Sequence, residues 1–157
     1  MSSAVSPGDR IAFLQASWHR ELIDHAREAF VETIGALGYA EDQIDVIHVA
    51  GAYELPLHAQ KLANTGRYAA IVGAALVVDG GIYRHEFVAA AVVDGLMRVS
   101  LDTGVPVLSL SLTPHHFHEH AEHLEYFAGH LAKKGAEAAR ATAQTIESLS
   151  AIDALAG

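Results

Sequence analysis

Residues 68–78 read YAAIVGAALVV, eleven positions without a single charge. A strand with one face in water alternates apolar and polar residues. A strand that is apolar throughout fits burial on both faces, the habit of parallel sheets with helices above and below. Three more strand-like stretches accompany it: 10–16 (RIAFLQA), 43–49 (QIDVIHV) and 105–112 (VPVLSLSL). Helical patterns follow each of them. From 19 to 37, Leu22, Ala26, Phe30 and Ile34 recur every fourth residue, with Gly38 placed as a left-handed cap. A shorter helix over 53–63 stops at Asn64-Thr65-Gly66. A third, over 84–101, carries Val88, Val92, Gly95 and Val99 along one side. The last, over 119–149, has Ala132, Ala136, Ala139, Ala143 and Ile146 on one face, with a kink or break expected near Gly129 or Gly135.

Strand then helix, four times over, predicts a parallel sheet with right-handed crossovers and helices on both faces. The expected fold class is therefore α/β: a flavodoxin-like three-layer α/β/α domain with a four-stranded parallel sheet. The chain has 157 residues, about the length of one domain. No repeat, linker or low-complexity segment divides it. Residues 1–9 read as a flexible N-terminal tail and 10–157 as one domain.

Composition narrows the function. The net charge is −9, and Lys133–Lys134 is the one adjacent basic pair. Nucleic-acid binding needs clustered Lys and Arg to neutralise phosphates, so no nucleic-acid partner is expected. Without cysteine there is no disulfide, thiolate nucleophile or cysteine zinc site. The longest wholly apolar run, 69–78, is about half of what spans a bilayer. The first residues, MSSAVSPGDR, lack a charged-then-apolar signal pattern. A cytoplasmic protein without a membrane partner is the expectation.

Open parallel sheets bind ligands beyond the carboxyl ends of their strands. Four stretches meet there: Ser17-Trp18-His19, Gly51-Ala52-Tyr53-Glu54, 79–85 (DGGIYRH) and 113–118 (TPHHFH). Each reads two ways. Trp18 can cap the core or stack on a flat heterocycle. Gly51-Ala52 can be a plain turn or present amides to a ring edge. Glu54 can complement the dipole at the start of a helix or accept hydrogen bonds from hydroxyls. Gly80–Gly81 before a helix is a weak anion signal; no Gly-Lys-Ser/Thr follows, so it is not a P-loop.

Residues 112–123, LTPHHFHEHAEH, hold five histidines in twelve positions. On a helix, His116, His120 and His123 share roughly one face. That face admits a metal site, a solvated polar surface near an interface, or one histidine serving an anion. No HExxH and no well-placed acidic partner support the metal reading. Charging of these histidines near pH 6 makes acid-sensitive assembly a further hypothesis.

VAGAYELP (49–56), DGGIYRHEFV (79–88) and LT (112–113) together resemble the lumazine synthase family of riboflavin biosynthesis. The resemblance runs from about residue 10 to 149. IYRHEF and LTPHHFHE look like its type II branch, rhizobial and Brucella-like, whose members form decamers of two pentamers. The resemblance implies condensation of 5-amino-6-(D-ribitylamino)uracil with 3,4-dihydroxy-2-butanone 4-phosphate to 6,7-dimethyl-8-ribityllumazine, a transferase reaction needing no cofactor and no metal. It also implies roles by position. Trp18 would stack on the pyrimidinedione; Ala52, Tyr53 and Glu54 would hold the ring edge and ribityl chain; Leu76, Val77 and Val78 would line the pocket through backbone contacts. Ser109 would come from a neighbouring subunit. Ile82 and Tyr83 would bind phosphate through their amides, joined by His123, which stands where the family's pattern has an arginine, and by Lys134. In register, Arg84 falls on the family's catalytic histidine, with His85 one place on. Arginine does not give up its proton near neutrality, so Arg84 would stabilise phosphate charge and His85 is the titratable candidate. Ala50 replaces a usual proline. The alternative is a flavin- or lumazine-binding protein of the same fold without catalysis. An electron-carrying flavodoxin fits less well, since QASWHREL lacks the Ser/Thr/Gly phosphate cradle.

Overall fold

The computed structural model describes residues 9–76, 85–112 and 121–156, with the side chains of 85–86, 111–112 and 121–127 outside that description. The elements are β1 (Arg10–Ala16), α1 (Arg20–Ala36), β2 (Ile44–Val49), α2 (Leu55–Ala63), β3 (Tyr68–Leu76), α3 (His85–Thr103), β4 (Val107–Leu112) and α4 (Ala121–Ala156). All pairings are parallel and the sheet order is β2-β1-β3-β4. This is the expected four-stranded parallel sheet, with β1 and β3 central. Every residue of β3 except Ala69 is buried, as its unbroken apolar run requires.

Odd and even positions of β1 feed two cores. Ile11 and Phe13 pack with Leu22, Ile23, Ala26, Phe30 and Ile34 of α1 and Leu131 and Ala139 of α4. Ala12, Leu14 and Ala16 pack with Leu55 and Ala59 of α2 and Val92, Leu96 and Val99 of α3. Each α1 residue predicted by the four-residue repeat is buried. The helix closes in a Schellman motif: Gly38 has φ 107, its N–H bonds Gly35 O, and the Tyr39 N–H bonds Ile34 O at 3.2 Å.

Some boundaries move for local reasons. Gln43 belongs to a short 3₁₀ turn (Glu41–Gln43), where its side chain accepts the Ala40 N–H. Val105 and Pro106 precede β4, and Pro106 has no N–H for a ladder. Its carbonyl still accepts the Ile71 N–H at 2.9 Å. The last helix is unbroken through Gly129 and Gly135 and continues to Ala156. A β-carbon built at Gly135 would strike the carbonyl oxygen of Ala26 in α1. Gly135 therefore lets two helices touch; it does not end one.

The amino ends of the strands are tied by charge. Arg10 grips Asp45 with Nε at 2.9 Å and Nη2 at 2.6 Å, and the Tyr68 hydroxyl donates to Asp45 at 2.8 Å. These bonds, the Arg10 guanidinium first, hold the Asp45 carboxyl below the ordinary aspartate range. A depressed folded value means stability that is present above the unfolded value and lost as pH falls through the folded one. Asp45→Asn is expected to lower stability at pH 7, and the gap to the parent is expected to close below about pH 4. Urea unfolding from pH 7 to 3 measures this; a gap that stays constant removes the linkage.

Among the described residues no helix is long and apolar enough to cross a membrane. Phe87, Val93, Met97 and Leu101 of α3 remain exposed. A groove of about 650 Å³ runs between α1 and the edge strand β2, floored by Val31, Ile44 and Val46 and rimmed by Arg27, Glu28, Glu32 and Glu41.

Candidate functional site

The β1–α1 and β2–α2 loops are joined at the carboxyl edge of the sheet. The Ser17 N–H bonds Val49 O at 3.0 Å, and Ser17 Oγ donates to the same oxygen at 2.8 Å. One carbonyl at the end of β2 thus anchors the loop that carries Trp18. Behind it, Gln15 is fully buried, yet its amide is satisfied: Nε2 donates to Asp24 at 2.6 Å and Oε1 accepts from Arg27 at 3.0 Å. Arg27 closes the triad on Asp24 at 2.8 Å. These polar ties hold the end of β1 against the first turns of α1.

Trp18 is half exposed, at 50%. An indole capping the core would be covered, so Trp18 is not a core cap in this chain. His19, next along, adopts φ 56 and ψ 44, and its ring stacks on the Trp18 indole with centroids 5.3 Å apart and planes 18° from parallel.

The chain leaves β2 through an extended Gly51 and turns once in 3₁₀ form (Ala52–Glu54) before α2. Pro56 suits the first turn of α2, where its missing N–H costs nothing. Tyr53 points into solvent at 71% exposure. The Glu54 carboxylate folds back toward Gly51: a β-carbon there would lie 3.9 Å from both of its oxygens. Glu54 Oε2 is buried and has no hydrogen-bond partner. Leaving a buried acceptor unpaired costs about 1–3 kcal/mol, more for a charge, so this oxygen gains from any donor brought to it. The Glu54 carbonyl, by contrast, is bonded to His58 Nδ1 at 2.9 Å.

Other predicted residues stand elsewhere. The Leu76 side chain lies in the core under α1 and α4, leaving only its backbone for the edge. Ser109 is exposed on β4, opposite Gly73 of β3. Lys134 lies on α4, paired with Glu137 at 3.2 Å. It is about 20 Å along the helix axis from Ala121, at 1.5 Å per residue. Within one chain, then, Trp18, Ala52, Tyr53 and Glu54 gather on the β1–β2 side, Ser109 stands on β4, and Lys134 lies on α4 next to Gly135, which touches α1. Val77, Val78, Ile82, Tyr83 and Arg84 lie outside the described residues, as do the side chains of His85 and His123 and most of the histidine-rich stretch. Among the described residues no group of three or more metal-ligating side chains comes together.

Ser17 and His19 escaped the sequence reading as site residues. Ser17 carried no signal, because its partner is a carbonyl in another strand. His19 could have been noticed as a ring next to the only tryptophan.

Residues 8–150 match the family model for 6,7-dimethyl-8-ribityllumazine synthase. The chain belongs to this family. A lumazine synthase of Rhodococcus erythropolis is 65% identical over 145 residues, covering 92% of this chain and 94% of its own length. A 6,7-dimethyl-8-ribityllumazine synthase 2 of Pseudomonas syringae pv. tomato is 57% identical over 151 residues, covering 94% and 89%. Another synthase 2, of Bradyrhizobium diazoefficiens, is 53% identical over 137 residues, covering 87% and 82%. The lumazine synthase match covers both loops of the carboxyl edge and α4 as far as residue 150, so the candidate site residues described above lie inside it.

Proposed function

We propose that the chain is a 6,7-dimethyl-8-ribityllumazine synthase, a transferase of riboflavin biosynthesis whose substrates are small molecules. The match over residues 8–150 carries this reading. Its substrates are 5-amino-6-(D-ribitylamino)uracil and 3,4-dihydroxy-2-butanone 4-phosphate. The amine condenses with the ketone to an imine, phosphate leaves, and the ribityl-bearing nitrogen closes the second ring. Two waters and one phosphate depart in all.

Both reactants are already reactive, so holding them together supplies much of the rate; oriented pairs reach effective molarities of about 10⁵–10⁸ M. In this reading Trp18 stacks on the pyrimidinedione and the amides around Ala52 and Tyr53 meet its edge. The unpartnered Glu54 oxygen accepts ribityl hydroxyls, which would relieve its burial. Val77 and Val78 line the pocket with the Leu76 backbone. Ile82, Tyr83, Arg84, His123 and Lys134 hold the phosphate, and His85 is the titratable group beside them. No resident cofactor or metal takes part.

Ser109 stands two strand spacings from β1, about 10 Å at the usual 4.8 Å each. It therefore serves a neighbouring copy's site, in a pentamer or a decamer of two pentamers. The exposed apolar side of α3 and the groove beside β2 are surfaces such an assembly would cover. The cytoplasm is the proposed location.

Mixing the two substrates with purified protein and following lumazine fluorescence tests the activity; protein-dependent formation above the spontaneous rate is expected, and its absence defeats the reading. Glu54→Ala is expected to raise KM for the pyrimidine substrate about tenfold, as a lost charge-assisted hydrogen bond does, without loss of fold. An unchanged KM would remove Glu54 from the ribityl site.

A further inference from the structure

We infer that His19 is a positioning residue, whose left-handed backbone and stacked ring hold the Trp18 indole ready for the pyrimidine substrate. This rests on the reading of the Trp18 face as the ring-stacking surface. Three observations, two at His19 and one at the loop before it, carry it.

The first is the backbone. Among the described residues His19 is the one non-glycine residue with positive φ, at 56. Helix caps ordinarily take extended backbone and a side chain that bonds an exposed N–H. His19 does neither, since it is left-handed and makes no side-chain cap bond. A conformation that disfavours side chains persists where its surroundings require it, and such residues gather at ligand sites.

The second is the ring. Side chains of consecutive residues alternate on a strand and point about 100° apart on a helix, so neither state stacks neighbours. The left-handed turn at His19 brings the two rings face to face at 5.3 Å and 18°. Glycine would take this φ more easily and asparagine would also cap the helix. Neither would supply a ring.

The third is the setting. The Trp18 loop is anchored through Ser17 to Val49 O, while the indole itself remains half exposed. Its backbone is tied, while about half of its side chain remains accessible. The His19 ring lies against one indole face, and in this reading the heterocycle takes the other. Holding the indole before binding reduces the ordering cost when the substrate arrives.

Trp18 is the only tryptophan of the chain, so its fluorescence reports this site alone. The experiment is time-resolved Trp18 anisotropy in the full assembled protein, followed by titration with 6,7-dimethyl-8-ribityllumazine. The variants are His19→Gly, His19→Asn and His19→Phe. Glycine and asparagine keep the backbone and lose the ring; they are expected to free the indole and weaken lumazine binding about threefold to tenfold, the range to which an aromatic pair's contribution converts. Phenylalanine is expected to restore slow indole motion and most of the affinity, while asparagine, a good cap, guards against a mere folding defect. Unchanged anisotropy in His19→Gly, or a phenylalanine variant no better than glycine, overturns the positioning role. A parent that holds Trp18 still yet takes up no lumazine overturns the reading of the site instead.

Discussion

Gly135→Val is expected to cost about 3 kcal/mol of stability or more, at the upper end of overpacking effects. At Gly135, α4 crosses α1 so closely that a β-carbon would overlap the Ala26 carbonyl oxygen and crowd its Cα at 2.9 Å. The obstacle is backbone, so no rotamer change relieves it; the helices must part. Parting them uncovers Phe30, Ile34, Leu131 and Ala139, all buried in one core. Gly135→Ala sets two effects against each other. Alanine favours a helix by about 1 kcal/mol over glycine, but its methyl group meets the same oxygen, and the clash is expected to win. Gly129 provides the control: it lies in the same helix with nothing within 4 Å of a β-carbon. Gly129→Ala is expected to be neutral or stabilising by up to about 1 kcal/mol. Urea midpoints of the three variants decide. Equal stability of Gly135→Val and the parent would mean that the two helices do not meet there.

Trp18→Ala is expected to raise KM for the ribitylaminouracil substrate roughly tenfold to a hundredfold, the equivalent of one lost stacking contact of about 1–3 kcal/mol. The indole is half exposed and belongs to neither core cluster, so the variant should fold as the parent does. No proton transfer is assigned to Trp18, so KM is expected to move more than kcat. His85→Ala provides the contrast, a change in kcat if that imidazole moves a proton. Loss of an acid–base group typically costs about 10²–10⁴-fold. In a reaction driven by juxtaposition, His85→Ala should cost less than that, and the Trp18→Ala effect on KM should be the larger of the two. Steady-state kinetics with each substrate varied separately reads both variants. Unchanged affinity in Trp18→Ala would contradict the stacking role.

The α/β alternation was legible because it is local and periodic. The uniform apolar run over residues 68–78 and the four-residue repeat of α1 are statements about which faces avoid water, and the chain states them directly. The motif GAYELP and the loops at the strand ends pointed to the same edge of the sheet by the parallel topology alone. Residue type marked Trp18 and Glu54 as candidates at that edge, each beside a structural reading, since an indole can cap a core and a carboxylate can complement a helix dipole.

Other properties depended on where distant segments pass one another. Gly135 looked like a helix break because glycine weakens helices. Its actual role follows from Ala26, more than a hundred residues earlier in the chain. The bond from Ser17 to Val49, the orphaned oxygen of Glu54 and the stack of His19 on Trp18 likewise arise from packing, not from pattern. The sequence by itself determined the layers and the sheet, because burial has a period, and it named the edge where a site was to be expected. Only the tertiary structure decided which polar atoms at that edge are satisfied and which still lack a partner, because satisfaction depends on distances between residues that no spacing along the chain encodes.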